Sequence, residues 1–556
     1  MKKTTLAVGL LLAAVGLSLW FFGRPAYRHY QERRALQQAR QFLAKGDWRN
    51  ASVSARQAIQ LHPANLEACR IMADLAEAAH SVQALDWRRR VAELAPTLEN
   101  KLLLAAIALR SQGPPFPLAS QMLEDLRQPA QDVASYHLLL AERALKLNQP
   151  AEAEAQFVDA SRLEPTNELH QFNLAVLRLR STNVTSAAEA RASLERLRAS
   201  TNLGAVALRW LIGDRLGQKD LPAAERFSSQ LLADPHATFE DRLQHLGILR
   251  QQNLPQYPAF LLTVKSEALT NAVKVYSLSS WMLSQKAPDE AMPWLSSLPP
   301  KLAAEQPVPL AFVDAYAAKK DWAGLDNYLQ DQKWGELEFL RLAFLSHAAA
   351  EQRENLAAET RWRSAVRQAG DRLGALNYLL TLAGAWHADK SCEDLLWQIA
   401  QRFPREHWAL VELGRFYLAS QDTRGINKVS AALASFNPKD LMAKNNFATT
   451  ALLLNLNLAA AHQTAKEIYT QHPDDPIITS TYAWSLHRQG QTKEALAALE
   501  KLKPEGLELP NVALYYGLLL SADGQHNKAA KYLALAQSAA LLPEEKSLLA
   551  AAAPPK

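Results

Sequence analysis

The sequence predicts an all-α fold, a solenoid of helix–turn–helix repeats, on three observations. Hydrophobic residues make up 48% and charged residues 21% of the 556-residue chain, a balance typical of folded proteins, and the apolar residues are mostly Leu and Ala. These two residues favour helix, whereas sheets are rich in β-branched residues. The chain has 20 Gly residues, about half the average share, so it can form few of the tight loops that nucleotide-binding folds need. Finally, a fixed spacing of small residues recurs along the chain.

Residues 1–23 are the first predicted element, a signal anchor that crosses the membrane once. Residues 4–23 carry no charge, and their most apolar part, residues 6–22, would be about 25 Å long as a helix, at the short end for a membrane span. Trp20, Phe21 and Phe22 end the run, and aromatic side chains favour the lipid–water interface. The alternative is a cleaved signal peptide, which would leave these aromatic residues at the start of the mature protein.

The predicted anchor is followed by a basic juxtamembrane segment, residues 24–34. Because basic residues lie on both sides of the apolar run, their distribution does not set the membrane orientation. A short basic start before an apolar run is similar to a bacterial export signal. We therefore expect a single-pass protein of the bacterial inner membrane with its repeats in the periplasm, and the orientation stays open.

The recurring spacing begins at Ala39, which is followed by Ala51 after twelve residues, Ala58 after seven and Pro63 after five. Small residues at such positions let the two helices of a pair approach closely. The proline then ends the second helix. The same intervals recur, fully or in part, at Ala141/Ala153/Ala160/Pro165, Leu211/Ala223/Gln230/Pro235, Gly414/Ile426/Leu433/Pro438, Ala483/Ala495/Leu502 and Gly517/Ala529/Ala536.

The turn glycines and the chain length predict how many repeats there are and where they lie. Gly46, Gly490 and Gly524 fall between the two helices of a pair, where a left-handed backbone suits Gly. The chain after the juxtamembrane segment has room for about fifteen units of roughly 34 residues. We predict regular repeats over 35–235 and 404–550, degenerate repeats with shortened helix pairs over 236–403, and a tail over 551–556.

At this point the chain resembles the tetratricopeptide-repeat family. Residues 408–438, WALVELGRFYLASQDTRGINKVSAALASFNP, are similar to its consensus, with Gln421 and Asp422 where a turn Gly is commoner. The match is also clear in 35–66, 134–167 and 481–540. The resemblance implies a right-handed superhelical solenoid of the kind found in membrane-anchored bacterial members, with a concave face that binds other proteins. It specifies fold far better than function.

Signatures of catalysis and metal binding do not occur in the sequence. There is no Gly-Lys dipeptide for a phosphate loop and no G-x-G turn for a dinucleotide. The two closest histidines, His236 and His245, are nine residues apart, whereas a helical zinc site needs three or four. The net charge of +5 is close to balance and gives no reason to expect nucleic acid. We therefore predict no enzyme, no cofactor and no metal site.

Candidate partner-binding residues lie on first helices near the C-terminal end of the chain: Trp408, Arg415, Trp484 and His487. Trp and Arg are frequent at interface hot spots. In the alternative interpretation the Trp side chains pack in the core and Arg415 is a solvated charge. The basic run at residues 86–90 is expected to be a solvated face of a second helix.

The functional hypothesis is a membrane-anchored scaffold for protein–protein interactions, with residues 4–23 in the membrane. Analogy with anchored members of the family suggests an envelope assembly such as secretion or polysaccharide export. The alternative hypothesis is a periplasmic subunit whose concave face holds a glycan. Exposed aromatic residues in a row would favour the glycan, and buried Trp side chains would count against it.

Overall fold

The computed structural model describes residues 24–552, and the predicted anchor at residues 1–23 lies outside the described residues. The described residues form helices and connecting turns, with no strand among them. Between residues 24 and 552 there is no helix with the length and apolar character of a membrane span. The chain divides into two compact units, Met1–Trp281 and Met282–Lys556, each described by itself below. The domain boundaries drawn from the sequence stay predictions.

The first unit is a succession of helices joined by short turns. They are α1 (Arg24–Ala44), α2 (Trp48–Leu61), α3 (Leu66–Ala78), α4 (Ala84–Leu94), α5 (Leu98–Ser111), α6 (Pro117–Asp125), α7 (Arg127–Ala130), α8 (Ala134–Lys146), α9 (Pro150–Leu163), α10 (Glu168–Leu179), α11 (Val184–Leu197), α12 (Gly204–Gly217), α13 (Leu221–Leu232), α14 (Phe239–Gln251) and α15 (Tyr257–Ala268). The next helix, α16 (Ala272–Ser284), spans the division between the units.

The second unit has the same character, with shorter helices at its start. Its helices are α17 (Pro288–Ser296), α18 (Pro300–Ala303), α19 (Val308–Lys319), α20 (Trp322–Gln330), α21 (Glu338–Glu351), α22 (Asn355–Ala369), α23 (Leu373–Ala385), α24 (Asp389–Arg402), α25 (Trp408–Ala419), α26 (Thr423–Phe436), α27 (Leu441–Leu454), α28 (Leu458–Gln471), α29 (Pro476–Arg488), α30 (Thr492–Leu499), α31 (Pro504–Leu507), α32 (Pro510–Ala522), α33 (His526–Ala536) and α34 (Pro543–Ala552), with a 3₁₀ turn at Gly335–Leu337.

Successive helices pack as pairs. In the first unit the pairs are α1/α2, α3/α4, α5/α6, α8/α9, α10/α11, α12/α13 and α14/α15, and in the second α19/α20, α21/α22, α23/α24, α25/α26, α27/α28, α29/α30 and α32/α33. Short turns make the two helices of a pair antiparallel. The described residues form seven pairs in each unit, besides α16 and α17, and the sequence predicted about fifteen units. The helices α17 and α20 are short, but so are α6 and α30 in the segments expected to be regular, so the degenerate segment at 236–403 stays a prediction.

The small residues of the recurring spacing lie where the helices of a pair meet. Ala39, Ala51 and Ala58 have no exposed surface, and the equivalent alanines of later pairs are buried as well. Gly517 marks a close contact of this kind, because a Cβ atom there would lie 2.8 Å from Cδ2 of Leu533 on the partner helix. The spacing therefore identified helix–helix contacts at its alanines, whereas Gln230, placed in the series as the equivalent of Ala58, is exposed.

The turns inside the pairs use a left-handed residue. Gly46, Gly490 and Gly524 have φ values of +71°, +81° and +84°, as predicted. In most turns without such a Gly another residue takes this conformation, and Gln421 does so with φ of +54°, whereas the α10/α11 turn has no residue with positive φ. The other non-Gly residues with positive φ inside pairs are His80, Phe116, Asn148, Lys219, Asn253, Lys320, Arg353, His387, Asn455 and Asn457.

One of the two basic segments differs from the expectation made for it. Residues 24–34 belong to α1, where Arg28, Arg33 and Arg34 are exposed and the buried carboxylate of Glu32 lies 3.0 Å from Nδ1 of His62, the residue after α2. In the 86–90 run, Arg88 is buried, with its guanidinium 2.7 Å from a carboxylate oxygen of Asp74 and also bonded to Glu77. The expectation of a solvated face is wrong for Arg88, because α3 supplies two carboxylates opposite it.

Candidate functional site: helix-face grooves and pockets

The first two predicted site residues, Trp408 and Arg415, lie on α25. Trp408 is half-buried, packs against the hydrophobic core and donates from Nε1 to Oε2 of Glu406 at 3.0 Å. Arg415 has 71% of its side chain exposed and forms an ion pair with Glu412 on the same helix. Arg415 is therefore accessible to a partner, while Trp408 contributes mainly to the core.

The other two, Trp484 and His487, lie on α29 and contact each other. Trp484 is 4% exposed, its ring centroid is 5.4 Å from that of Tyr515, and its Nε1 has no hydrogen-bond partner among the described residues. His487 is half-buried, with Nδ1 3.0 Å from Oγ1 of Thr492. Burial, and then Arg488, lowers the pKa of His487, so its ring is neutral at pH 7. These two residues form part of the interior.

No hydrogen bond or ring contact of the described residues joins the α25 pair of candidates to the α29 pair. The four residues therefore form no single constellation, and their role in partner binding stays a prediction. Because Trp484 is buried, its indole face cannot stack on a sugar ring. This position does not offer the exposed aromatic row that a glycan-binding surface would need.

An open apolar groove in the first unit lies between two successive first helices, α5 and α8. Its volume is about 760 Å³, and Leu103 on α5 and Leu138 on α8 are partly exposed in it. Charged side chains lie along the same groove, with Glu99 and Arg110 on α5 and Glu142 on α8. The remaining lining residues are Leu98, Leu102, Ala106, Val133, Ser135 and Leu139. A groove with this apolar floor and charged margin can hold the apolar stripe of a polypeptide helix.

An aromatic pocket of about 440 Å³ lies in the second unit, lined by α21, α22 and the start of α24. The rings of His347 and Trp386 are stacked with centroids 4.3 Å apart, and Trp362 meets Trp386 edge-on at 6.4 Å. Burial lowers the pKa of His347 against the opposing effect of Glu351, so this ring is neutral at pH 7. The charged residues around the pocket are Glu351, Glu359, Arg363, Lys390 and Asp394.

The last helix, α34, packs back on the second unit rather than extending the array. It contacts α27 and α32, which are both first helices of pairs. Leu541, just before α34, is buried in the core of the last pairs, while the neighbouring Leu542 packs against the core cluster that contains Tyr417. The segment 541–552, named the C-terminal strap here, thus contacts two core clusters at once.

Polar bonds hold the first turn of α34, at residues 544–546, on two sides. Tyr515 of α32 donates to Oε1 of Glu545 at 2.6 Å, and both groups are buried. Burial, reinforced by Glu545, raises the pKa of Tyr515 well above its usual value, so the phenol keeps the proton it donates. The two residues flanking Glu545 also bond to the second unit, where Thr423 donates to Glu544 and Gln421 is 3.0 Å from Nζ of Lys546. These last contacts join residues more than 120 positions apart.

Sequence reasoning missed the strap, the aromatic pocket and the α5–α8 groove. The signal for the strap was weak, because Glu544 and Glu545 look like ordinary acidic residues of a helix start. His347, Trp362 and Trp386 are spread over 40 positions and share no motif. Within the part of the chain that the structure describes, no three His, Cys, Asp or Glu side chains are grouped so that they could hold a metal ion.

Comparisons with known proteins give distant similarities only. No protein-family model and no curated protein matches the chain. The structure of Naa15/Naa10 bound to HypK-THB is 14% identical with a TM-score of 0.29, over 94% of this chain and 77% of that one. The APC/C hetero-tetramer Cut9-Hcn1 is 11% identical with a TM-score of 0.27, over 94% and 96%. A tetratricopeptide repeat protein from Parabacteroides merdae is 16% identical with a TM-score of 0.24, over 50% and 98%. At these TM-scores the likenesses carry no argument, and the helix-pair fold rests on this chain's own helices.

Proposed function

We propose that this chain is a non-catalytic scaffold of tetratricopeptide-like repeats whose helix faces bind segments of other proteins. The observation that carries the proposal is the open groove between α5 and α8, where Leu103 and Leu138 leave apolar surface uncovered in the folded chain. Apolar surface is covered wherever the fold can do so, since each Å² removed from water contributes about 25 cal/mol. Apolar surface left uncovered in a groove between first helices therefore favours a role in binding a partner over a role in the core of the fold.

The occupant that fits this groove is an amphipathic helix with a basic residue beside its apolar stripe. The apolar floor matches residues spaced at i, i+3 and i+4. Glu99 and Glu142 outnumber Arg110 along the groove, and Glu142 alone has a basic neighbour, Lys146, at 3.6 Å. A Lys or Arg of the partner next to Glu99 would complete the charge pattern. Such a margin contributes mainly to specificity and association rate.

Crosslinking at the groove tests the scaffold. A photo-reactive amino acid replaces Leu103 in the full-length protein in cells, and crosslinked proteins are identified by mass spectrometry. The matched control carries the same group at Leu145, which is 45% exposed on α8 but does not line the groove. A partner captured at 103 and not at 145, and lost in the Leu138→Glu variant, supports the scaffold. Equal capture at both positions, or capture that survives Leu138→Glu, would refute binding in this groove.

The proposal includes attachment to a bacterial inner membrane through residues 4–23, with the repeats in the periplasm and a role in an envelope assembly. The support is the sequence of the first 23 residues alone, an uncharged run after a basic start. Fractionation of full-length protein and of a chain lacking residues 1–23 tests the attachment. Proteinase digestion of spheroplasts tests the orientation, since periplasmic repeats are digested and cytoplasmic ones are protected.

A second candidate function, glycan binding, is favoured by the aromatic pocket beside α21, α22 and α24. Half-buried indole rings next to carboxylates and a serine can stack on a sugar ring and bond its hydroxyls. Titration of oligosaccharides into the wild type and Trp362→Ala, with Trp48→Ala as the control on an exposed Trp outside the pocket, tests this function. Saturable binding lost only in Trp362→Ala would favour the glycan; no binding to the wild type would remove it.

A further inference from the structure

The C-terminal strap lies on the side of the second unit formed by first helices. It contacts α27 and α32 and reaches the turn before α26, so it meets three of the last four pairs. A helix that only covered the apolar end of the array would need to meet α32 and α33 alone. The reach back to Gln421 and Thr423 therefore exceeds what capping requires.

The contacts of the strap are those of a bound amphipathic helix. Leu541, Leu548 and Leu549 pack against the core of the last pairs, with Glu545 among them at helical spacing. Glu545 is the deep polar anchor, accepting from Tyr515 at 2.6 Å and from the backbone nitrogen of Leu542 at 2.8 Å. This is the helix-in-groove mode of peptide recognition, performed within one chain.

The connection to the rest of the chain is short and weakly held. Residues 537–542 join α33 to α34, and Gln537, Ser538 and Ala540 are exposed. The outer bonds at Lys546 and Gln421 are solvent-exposed, so they contribute little to holding the strap in place. Release of residues 541–552 would break the buried bond from Tyr515 to Glu545, the partly buried bond from Thr423 to Glu544, and the apolar contacts of four leucines, Leu541, Leu542, Leu548 and Leu549.

We propose that the face formed by α27, α32 and the turn before α26 is a binding site for amphipathic helices, and that the C-terminal strap is its resident, displaceable ligand. The partner that fits is a helix with a carboxylate one turn away from leucines on either side, which would replace Glu545 beside Tyr515. This inference rests on the proposed scaffold function and adds a second surface, regulated by the chain itself. A partner must compete with a tethered segment, whose effective concentration is in the millimolar range. The strap thus raises the partner affinity or concentration that is needed for binding.

Cleavage of the folded protein tests the proposal. A recognition sequence for a site-specific protease is inserted between Gln537 and Ser538, and the purified full chain is cut after folding. The probe is the fluorescein-labelled peptide of residues 538–552, SAALLPEEKSLLAAA. We expect the uncut protein to bind it at least about tenfold more weakly than the cut protein, because cutting removes the tether. Fluorescence anisotropy measures both affinities.

Two altered peptides test the chemistry of the site. Glu545→Gln in the peptide removes the charge that accepts from Tyr515, and we expect about a tenfold or larger loss of affinity. Ser547→Ala is the matched control, because Ser547 is exposed and bonds only within its own helix, to Pro543. Equal affinity of all three peptides would overturn the proposed anchor.

Two other outcomes would overturn the proposal. If the cut fragment never exchanges with the labelled peptide over days, or if cutting abolishes hydrogen-exchange protection in α32, the strap is part of the core. Neither result bears on crosslinking at Leu103 in the first unit, so failure of this inference and failure of the scaffold function are distinguishable.

Discussion

The turn residues show how single positions adapt to the repeat. Among the described residues, eleven non-Gly residues have a left-handed conformation between the helices of a pair, including Lys219 and Arg353. This conformation costs an L-residue about 1–2 kcal/mol, which Gly avoids. The backbone is therefore slightly strained at several turns, and Gly at those positions would remove the strain.

Replacing one of these residues by Gly should stabilise the protein. Arg353 is exposed with φ of +65°, so Arg353→Gly removes the strain and loses no buried contact. We expect a gain of about 0.5–1 kcal/mol after the entropy cost of Gly in the unfolded chain. The reverse change, Gly490→Ala at φ of +81°, should cost about 1–2 kcal/mol. Hydrogen exchange of the flanking helices measures the stability change in both variants. A less stable Arg353→Gly variant would contradict the assignment of strain to this turn.

The carboxylate of Asp241 takes part both in an ion pair and in the cap of a helix. Its carboxylate accepts from Nε and Nη2 of Arg209 at 2.9 and 2.8 Å, and from the backbone nitrogen of Thr238 at 2.8 Å. Burial alone would raise the pKa of Asp241, but Arg209 and Thr238 together hold it below its usual value of 3.8. One carboxylate thus caps α14 and links it to α12.

The lowered pKa predicts loss of stability in acid. A depressed carboxyl pKa contributes stability that is present above pH 3.8 and disappears as the pH falls through the folded-state value. At pH 7, Asp241→Asn should cost about 1–3 kcal/mol because Arg209 loses its buried partner. The difference between wild type and variant should shrink below pH 3.8. Denaturant titrations at pH 7 and at pH 3 measure it.

An exposed ion pair supplies the control for Asp241. Asp86 pairs with Arg89 at 3.3 Å, and the Asp86 side chain is 74% exposed. Asp86→Asn should therefore change stability by less than about 1 kcal/mol at either pH. If Asp241→Asn behaves like Asp86→Asn, the buried contacts of Asp241 do not stabilise the pair of helices.

Helix pairs differ in the space they leave at the small first-helix residue of the recurring spacing. At Gly517 an added Cβ would lie 2.8 Å from Cδ2 and 3.1 Å from the backbone nitrogen of Leu533. At Gly414, the equivalent position of an earlier pair, it would lie 3.6 Å from Cγ1 of Val429, an ordinary contact. The α32/α33 pair thus leaves no room for a side chain at this position, whereas α25/α26 has room for a methyl group.

The same substitution should have opposite effects in these two pairs. Gly517→Ala should cost about 1–3 kcal/mol, because α32 and α33 must separate. Gly414→Ala should be neutral or stabilising by up to about 1 kcal/mol, since Gly in a helix interior is unfavourable. Urea unfolding compares the variants. Equal effects would show that the close approach of α32 and α33 contributes nothing specific.

The periodic pattern of the sequence predicts contacts between the two helices of one pair and few other contacts. It identified Ala39, Ala51 and Gly517 because each meets a residue of its own pair. It could not identify the partners of Arg88, whose carboxylates lie 11 and 14 residues earlier on another helix. It also left Trp484 ambiguous, because residue type alone cannot separate a buried indole from an exposed one.

Each compact unit consists of pairs that contact mainly their neighbours in sequence, so its stability is a sum over pairs and interfaces. We expect unfolding in denaturant to proceed in several steps rather than one. Native-state hydrogen exchange should then resolve groups of amides with different opening free energies. Gly517→Ala should lower protection around α32 and α33 and leave α1 to α4 unchanged. A single cooperative loss of protection throughout the chain would contradict this picture.

The bonds from Gln421 and Thr423 to the strap have a consequence for the history of the protein. Arrays of helix pairs grow and shrink by duplication or loss of whole units, because a new unit needs only compatible neighbours. Between Gln421 and Lys546 this freedom is absent, since an added or deleted pair would move the two partners out of reach of each other. We therefore expect homologues that keep the strap to hold a constant number of residues in this stretch, and to vary in length outside it.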